Sequence, residues 1–250
     1  MRLKIAGLFL LFSGAAVGAS NASAIAYRMA SYSISRAPVD SPYSEPVSWA
    51  YPVVLPLQIP AHRRLNAWLR TQALVGLKAC LPDGLSALPD SKLVSALGAD
   101  PDFAACELVQ STIHPEGAFG RYVMFTRHTE RHGSVRLYQD VQTMMFDVEK
   151  GAAVELQTLF KPEALDELNG MLQEQISEDR QRPDCTGRSF EWSQVSLRPP
   201  ELISIEFPYD TAEWGRCGDG VEVLKGPAVS RLLLQPARFR PVREWVQERP

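Results

Sequence analysis

The chain reads as an α+β domain: an antiparallel sheet with two main helices packed on one face, held by two local disulfides. Three observations predict it. Short runs alternate apolar and polar residues, as where Ile203, Ile205 and Phe207 interleave with Ser204 and Glu206, the period of a half-buried strand. Two longer stretches, residues 61–78 and 162–177, carry apolar residues at helical spacing. Four cysteines, Cys80, Cys106, Cys185 and Cys217, make an even set, and strands followed by helices on one sheet is a common way to bury both.

Residues 1–24 have the form of a secretory signal: Arg2 and Lys4, an apolar run from Ile5 to Phe12, then small residues ending at Ala24. The apolar run is too short to span a bilayer, and no later stretch approaches eighteen apolar residues, so no stable membrane insertion is expected after cleavage. The expected location is periplasmic or secreted. Removing Arg2 and Lys4 takes the formal charge from -3 to -5. An acidic chain without a basic cluster argues against nucleic acid as a partner. In an oxidising compartment the even cysteine count favours two disulfides. Each sequential pair, Cys80 with Cys106 and Cys185 with Cys217, brackets one local excursion, and closing a loop of that length contributes about 3.5 kcal/mol.

Residues 25–60 are expected to form a proline-rich N-terminal arm or edge strand, and residues 61–250 the α+β domain. Residues 27–36 alternate loosely, as an edge strand does. Residues 49–57 are apolar enough for a short edge strand in spite of Pro52 and Pro56; an extended arm is the alternative. The first helix, 61–78, buries Leu65, Trp68, Leu69, Ala73 and Leu77 and turns Arg63, Arg64 and Arg70 outward. Between Cys80 and Cys106, Pro-Asp pairs surround one short helix at 91–97. A strand at 107–114 follows, then a hairpin of 121–126 and 135–148 with Glu130 to Gly133 near its turn. Gly151 makes a second hairpin into 154–156. The second main helix, 162–177, buries Leu165, Leu168, Leu172 and Ile176, with Glu163 and Asp166 near its positive end. Residues 188–197 and 203–207 are strands, and Pro208 ends the latter. Val221 and Val223 mark another short strand, and Pro227 opens a closing helix carrying Val229, Leu232 and Leu233. After Pro236 the tail is a docked terminal turn or a frayed end.

Three constellations invite a chemical reading. His128, Glu130 and His132 are ligand types for zinc, but HTERH is not HExxH, and a solvated hairpin tip accounts for them better; no metal or cofactor is expected. Asp210, Glu213 and Asp219 share one loop and would act as a glycosidase pair only if held apart across a cleft. The same loop carries Tyr209 and Trp214, rings of the kind that anchor interfaces, tethered by Cys217. The competing reading makes both rings a lid on the core. No nucleophile elbow of the G-x-S-x-G type occurs. The expectation is a binding surface at Tyr209, Asp210, Glu213, Trp214 and Asp219, with no catalytic residues assigned.

The segment ISIEFPYDTAEWGRCGDGVEVLKGPAVSRLL (203–233) resembles the closing segment of the RsiV-like domain family. Those domains form the extracytoplasmic part of RsiV-type anti-sigma factors and an accessory part of PdaC-type polysaccharide deacetylases. MMFDVEKGAAVELQTLFKPEALDELNGML (144–172) resembles the family's strand, Asp, Gly turn, Leu-Phe and helix run, with Asp147, Gly151, Leu156, Leu159 and Phe160 at the matching positions. YPVVLPLQIPAHRRLNAWLR (51–70) is similar to its opening strand and helix, and the best match covers 120–235. Where the family has a Gly-Gly-Ala-His turn, this chain has RHTERHG (127–133). RsiV-type domains bind lysozyme, a basic protein. The resemblance therefore implies a non-catalytic binding protein for a basic cell-wall hydrolase or for peptidoglycan. The alternatives are a cell-wall glycan or peptide hydrolase and an immunity-type inhibitor of a secreted hydrolase.

Overall fold

The computed structural model describes residues 24–35, 45–82, 84–132, 137–178, 195–198, 202–206, 221–225, 231–234 and 242–248. In chain order these form β1 (Ile25–Ile34), β2 (Val47–Val54), α1 (Pro60–Leu74), α2 (Asp90–Gly98), β3 (Leu108–Phe119), β4 (Tyr122–His132), β5 (Leu137–Asp147), β6 (Ala152–Val154), α3 (Ala164–Glu178), β7 (Val195–Arg198), β8 (Leu202–Glu206), β9 (Val221–Lys225), β10 (Val242–Arg243) and β11 (Trp245–Gln247). Short 3-10 turns follow α1, flank α2 and precede α3.

The fold is α+β with one large sheet, but that sheet is mixed rather than antiparallel. Its strands lie in the order β11-β1-β2-β3-β4-β5-β6, with β10 on β3, while β7-β8-β9 make a separate small sheet. Two pairings are parallel, β2 with β3 and β11 with β1. The first follows from the connection: the chain leaves β2, forms α1 and α2, and re-enters as β3, and such a crossover returns a strand in the same direction. By contrast, β3 and β4 are joined by the tight turn at Gly120, whose φ of 56° is left-handed, and pair antiparallel.

The two main helices do not share a face. Val123 and Phe125 of β4, with Phe146 of β5, pack with Leu65 and Leu69 of α1. Tyr122 and Met124, with Met145, pack instead with Ala164 and Leu168 of α3. Successive strand residues point to opposite faces, so α1 and α3 lie on opposite sides of the sheet. The signal is present in the residues: 122–125 is YVMF and 144–146 is MMF, apolar at every position, as in a strand covered on both faces. Met144 is 7% exposed and the rest of these side chains at most 2%.

β2 is an inner strand rather than an edge or an arm. Pro52 is tolerated because it faces Met29 at a position that makes no ladder bond to β1, and the pairing of β2 with β3 ends at Ala50–Thr112. Beyond that point the Asn66 side chain of α1 takes over, accepting from Val54 N–H at 2.8 Å and donating to its carbonyl at 3.0 Å. Pro115 sits where β3 shifts register between Pro115 and Gly117, a bulge that absorbs the missing donor.

Cys80 and Cys106 form the disulfide found among the described residues, 26 apart in sequence, as the spacing implies. Cys185 and Cys217 lie outside the described residues. The expected closing helix is not helical at residues 231–234. Leu233 bridges Phe160 in antiparallel fashion, Lys161 N–H donates to Leu232 O at 2.9 Å, and Leu234 N–H to Leu159 O at 2.9 Å. The tail is neither a terminal turn nor frayed: β10 pairs with the end of β3, and β11 with the start of β1. Trp245 brings its ring to 5.4 Å from Phe125 of β4 and 5.8 Å from Tyr27 of β1, tying β11 to the core as well as to its neighbouring strand.

Candidate functional site

Of the residues expected to form a binding surface, Tyr209, Asp210, Glu213, Trp214 and Asp219 all lie outside the described residues. Their anchorage is described. Glu206 at the end of β8 pairs with Val221 at the start of β9, so residues 207–220 join neighbouring strand ends.

The HTERH residues are on a strand, not at a hairpin tip. His128, Glu130 and His132 are alternate residues of β4 and point to the same side of the sheet. Each is engaged separately. The His128 ring lies edge-on to His114 with centroids 5.6 Å apart, Gln139 donates to Glu130 at 2.6 Å, and His132 Nε2 is 3.0 Å from Glu45 Oε2. Among the described residues no group of three histidines, cysteines or carboxylates is placed to hold a metal ion. Burial and the neighbouring His128 hold His114 below the ordinary histidine value, with Glu116 pulling the other way.

The described residues build a different concavity. Arg28, Ala30 and Tyr32 of β1 alternate on the α1 side of the sheet, facing Val53, Tyr51 and Trp49 of β2. With Leu55 beyond β2, Arg28, Ala30, Tyr32, Tyr51 and Val53 line a groove of about 880 Å³ along the sheet edge. Gln247 and Glu248, where β11 ends, close it at the Arg28 end. A smaller cleft of about 350 Å³ continues past Leu55 over Pro56 and Leu57, and shares Glu248.

The aromatic wall is fixed from behind. Tyr32 stacks on Trp49 at 5.3 Å and on Tyr51 at 6.5 Å. The Tyr51 hydroxyl donates to Asp90 at 2.7 Å, and Arg70 Nε donates to both Asp90 oxygens at 3.2 Å. Arg70 also donates to the carbonyls of Ser86, at 2.9 Å, and Leu88, so one guanidinium holds α2 and the turn before it against α1. Asp90 sits in the first turn of α2, where the helix dipole favours a carboxylate. Burial, then the hydrogen bond to Asp90 and its charge, push the Tyr51 phenol well above its ordinary value, and burial and Asp90 raise Tyr32 as well. Both phenols are therefore protonated at neutral pH. The groove offers a ligand an apolar floor, two aromatic faces, one cation, one anion and a strip of strand backbone.

Sequence reasoning missed this site. Tyr51 and Asp90 are 39 residues apart, and nothing in their local patterns distinguishes them from ordinary core and turn residues. The one available hint is the alternation of Trp49, Tyr51 and Val53, which marks a strand with a wide aromatic face.

No family model matches this chain, and no curated protein does. Solved structures do. A DUF3298 family protein from Pseudomonas aeruginosa PAO1 aligns with a TM-score of 0.53 at 13% identity, over 85% of this chain and 94% of that one. A DUF3298 family member from Bacteroides fragilis NCTC 9343 aligns with a TM-score of 0.50 at 10% identity, over 84% and 92%. The chain thus shares the fold of these DUF3298 proteins.

Proposed function

We propose that this chain is an exported, non-catalytic binding protein of the RsiV-like type. Its partner is a basic cell-wall hydrolase of the lysozyme class, or cell-wall material such as peptidoglycan. The observation that carries this reading is the resemblance of residues 51–70, 144–172 and 203–233 to the RsiV-like family, whose members bind lysozyme; the fold shared with DUF3298 proteins is compatible with it. Charge supports it, since the chain stands at -5 once Arg2 and Lys4 are removed with residues 1–24. Export places it in the periplasm or outside the cell, where Cys185 and Cys217 form the second disulfide and tether the loop of residues 209–220. An inhibitor of a secreted hydrolase is the sharper form of the same role.

The loop supplies the anchor. Trp214 and Tyr209 bury against the partner, while Asp210, Glu213 and Asp219 steer a basic surface towards them. Trp214→Ala should weaken binding to a lysozyme-class hydrolase by about 2 kcal/mol with the melting temperature unchanged. Neutralising Glu213 and Asp219 should mainly slow association and flatten its dependence on salt. Calorimetry and binding kinetics on the same purified variants decide the matter. A lowered melting temperature with affinity intact would make the loop a lid on the core. Turnover of peptidoglycan fragments that vanishes when Asp210, Glu213 or Asp219 is replaced would overturn the reading in favour of a glycan hydrolase.

A further inference from the structure

Among the described residues, β1 has an outer edge that is only half covered. Its register with β2 runs without a break from Tyr27–Val54 to Ile34–Val47. Within that ladder the even-numbered residues of β1 turn their backbone groups towards β2, as the bond from Leu55 N–H to Ala26 O at 2.9 Å shows. The odd-numbered residues turn theirs outward. Ile25 N–H donates to Glu244 O at 2.8 Å, and Tyr27 O accepts from Glu248 N–H at 2.7 Å, both across to the segment carrying β11. β11 then stops. The outward amides and carbonyls of Met29, Ser31 and Ser33 continue the same row, and among the described residues no strand is paired to them. The sequence of β1, IAYRMASYSI, guards this edge with a single charge and no proline.

The groove runs along this stretch. Its floor and aromatic wall (Ala30, Tyr32, Tyr51, Val53) belong to the face beside the open backbone, and Gln247 and Glu248 mark where the occupied part of the edge ends.

We propose that the β1 edge from Met29 to Ser33 is a docking site for an extended peptide segment of a partner protein, which adds as a strand in line with β11. A polypeptide is the ligand class that presents donors and acceptors at the two-residue spacing of this row. The chain's own β11 shows that the edge accepts a strand. Alternate side chains of the incoming segment fall into the groove against Tyr32 and Val53, which favours an apolar residue at every second position. A cationic residue at the β11 end meets the Glu248 carboxylate. This deepens the reading of the chain as a binding protein, and it places a contact on a different part of the molecule from residues 209–220.

The test uses the mature chain and a soluble eight-residue peptide alternating valine and lysine, beside a twin of the same sequence N-methylated at alternate residues. The peptide should bind and slow amide exchange at Met29, Ser31 and Ser33, and the twin should bind at least tenfold more weakly despite equal charge. Ser31→Pro removes an outward donor without touching the ladder to β2, so it should keep the melting temperature and lose at least tenfold in peptide affinity. Equal binding of the two peptides, no binding of either, or exchange unchanged at those three amides would overturn the proposal, and the last holds even if Ser31→Pro fails to fold. A dimer of the free chain that Ser31→Pro abolishes would overturn it in favour of a second copy on the edge. Capture of a hydrolase by a chain that binds neither peptide would sink this proposal and leave the binding function standing.

Discussion

Tyr51 shows how one residue serves both the core and the groove. Its ring forms part of the groove wall, and its hydroxyl reaches the buried Asp90, which Arg70 neutralises. Tyr51→Phe removes one donor to a carboxylate that keeps Arg70, so denaturant unfolding at pH 7 should show a loss of about 1 kcal/mol. The pH dependence follows from the raised pKa. The folded chain holds the Tyr51 proton more tightly than the unfolded chain, whose tyrosines lose theirs near 10. This stabilisation is complete below that pH and falls away as the pH rises above it. Stability of the native chain should therefore drop on alkaline titration more steeply than that of Tyr51→Phe. Parallel curves for the two proteins would show that the phenol is not held by Asp90.

At the scale of elements, the turn between β5 and β6 explains two positions that the resemblance singled out. Asp147 is 1% exposed, accepts from the backbone amides of Glu149 at 3.1 Å and Lys150 at 3.0 Å, and pairs with Arg121 at 2.5 Å. Gly151 closes the turn with φ at 70°, and its N–H donates to Asp147 O at 2.8 Å. A methyl group there meets the Arg64 side chain, whose flexible end can move aside, so the left-handed backbone is the larger penalty. Gly151→Ala should cost about 1–2 kcal/mol, and Asp147→Ala about 3 kcal/mol because it removes the buried acceptor of the Glu149 and Lys150 amides, while Arg121 keeps Glu149 as a partner at 3.2 Å. Chemical denaturation of both variants tests the order as well as the size. An Asp147→Ala variant as stable as the native chain would make the turn incidental to the fold.

For the whole molecule, two devices close what the sheet leaves open. The disulfide Cys80–Cys106 fixes the excursion that carries α2, and with it Asp90, to the strand entering the sheet. Replacing both cysteines by serine should cost about 3.5 kcal/mol, less whatever structure the unfolded chain retains. Because Asp90 rides on that excursion, the same variant should also loosen the wall behind Tyr51, read as faster amide exchange around Tyr51. A variant that loses stability without any change near Tyr51 would separate the two roles. The second device is the segment carrying β10 and β11, which bridges the end of β3 and the start of β1; among the described residues no strand covers the edge beyond Tyr27.

What the sequence determined by itself is local. Periodicity located α1 and α3, the strands around Phe125, Phe146 and Ile205, and the Gly151 hairpin, because each rests on the spacing of neighbours along the chain. The Cys80–Cys106 link was legible for the same reason, as a pair enclosing one turn-rich excursion. Tertiary structure decided the rest. Pro52 reads as an edge or arm residue until the parting of β2 from β3 removes the demand for its donor. YVMF and MMF state that their strands are covered on both sides, but not which helix lies on which side. The groove joins Arg28, Tyr51 and Glu248, which meet only because β11 returns to β1 over more than two hundred residues. Such contacts depend on where whole elements pack, and that is set by the sum of buried surfaces rather than by the pattern at any one of them.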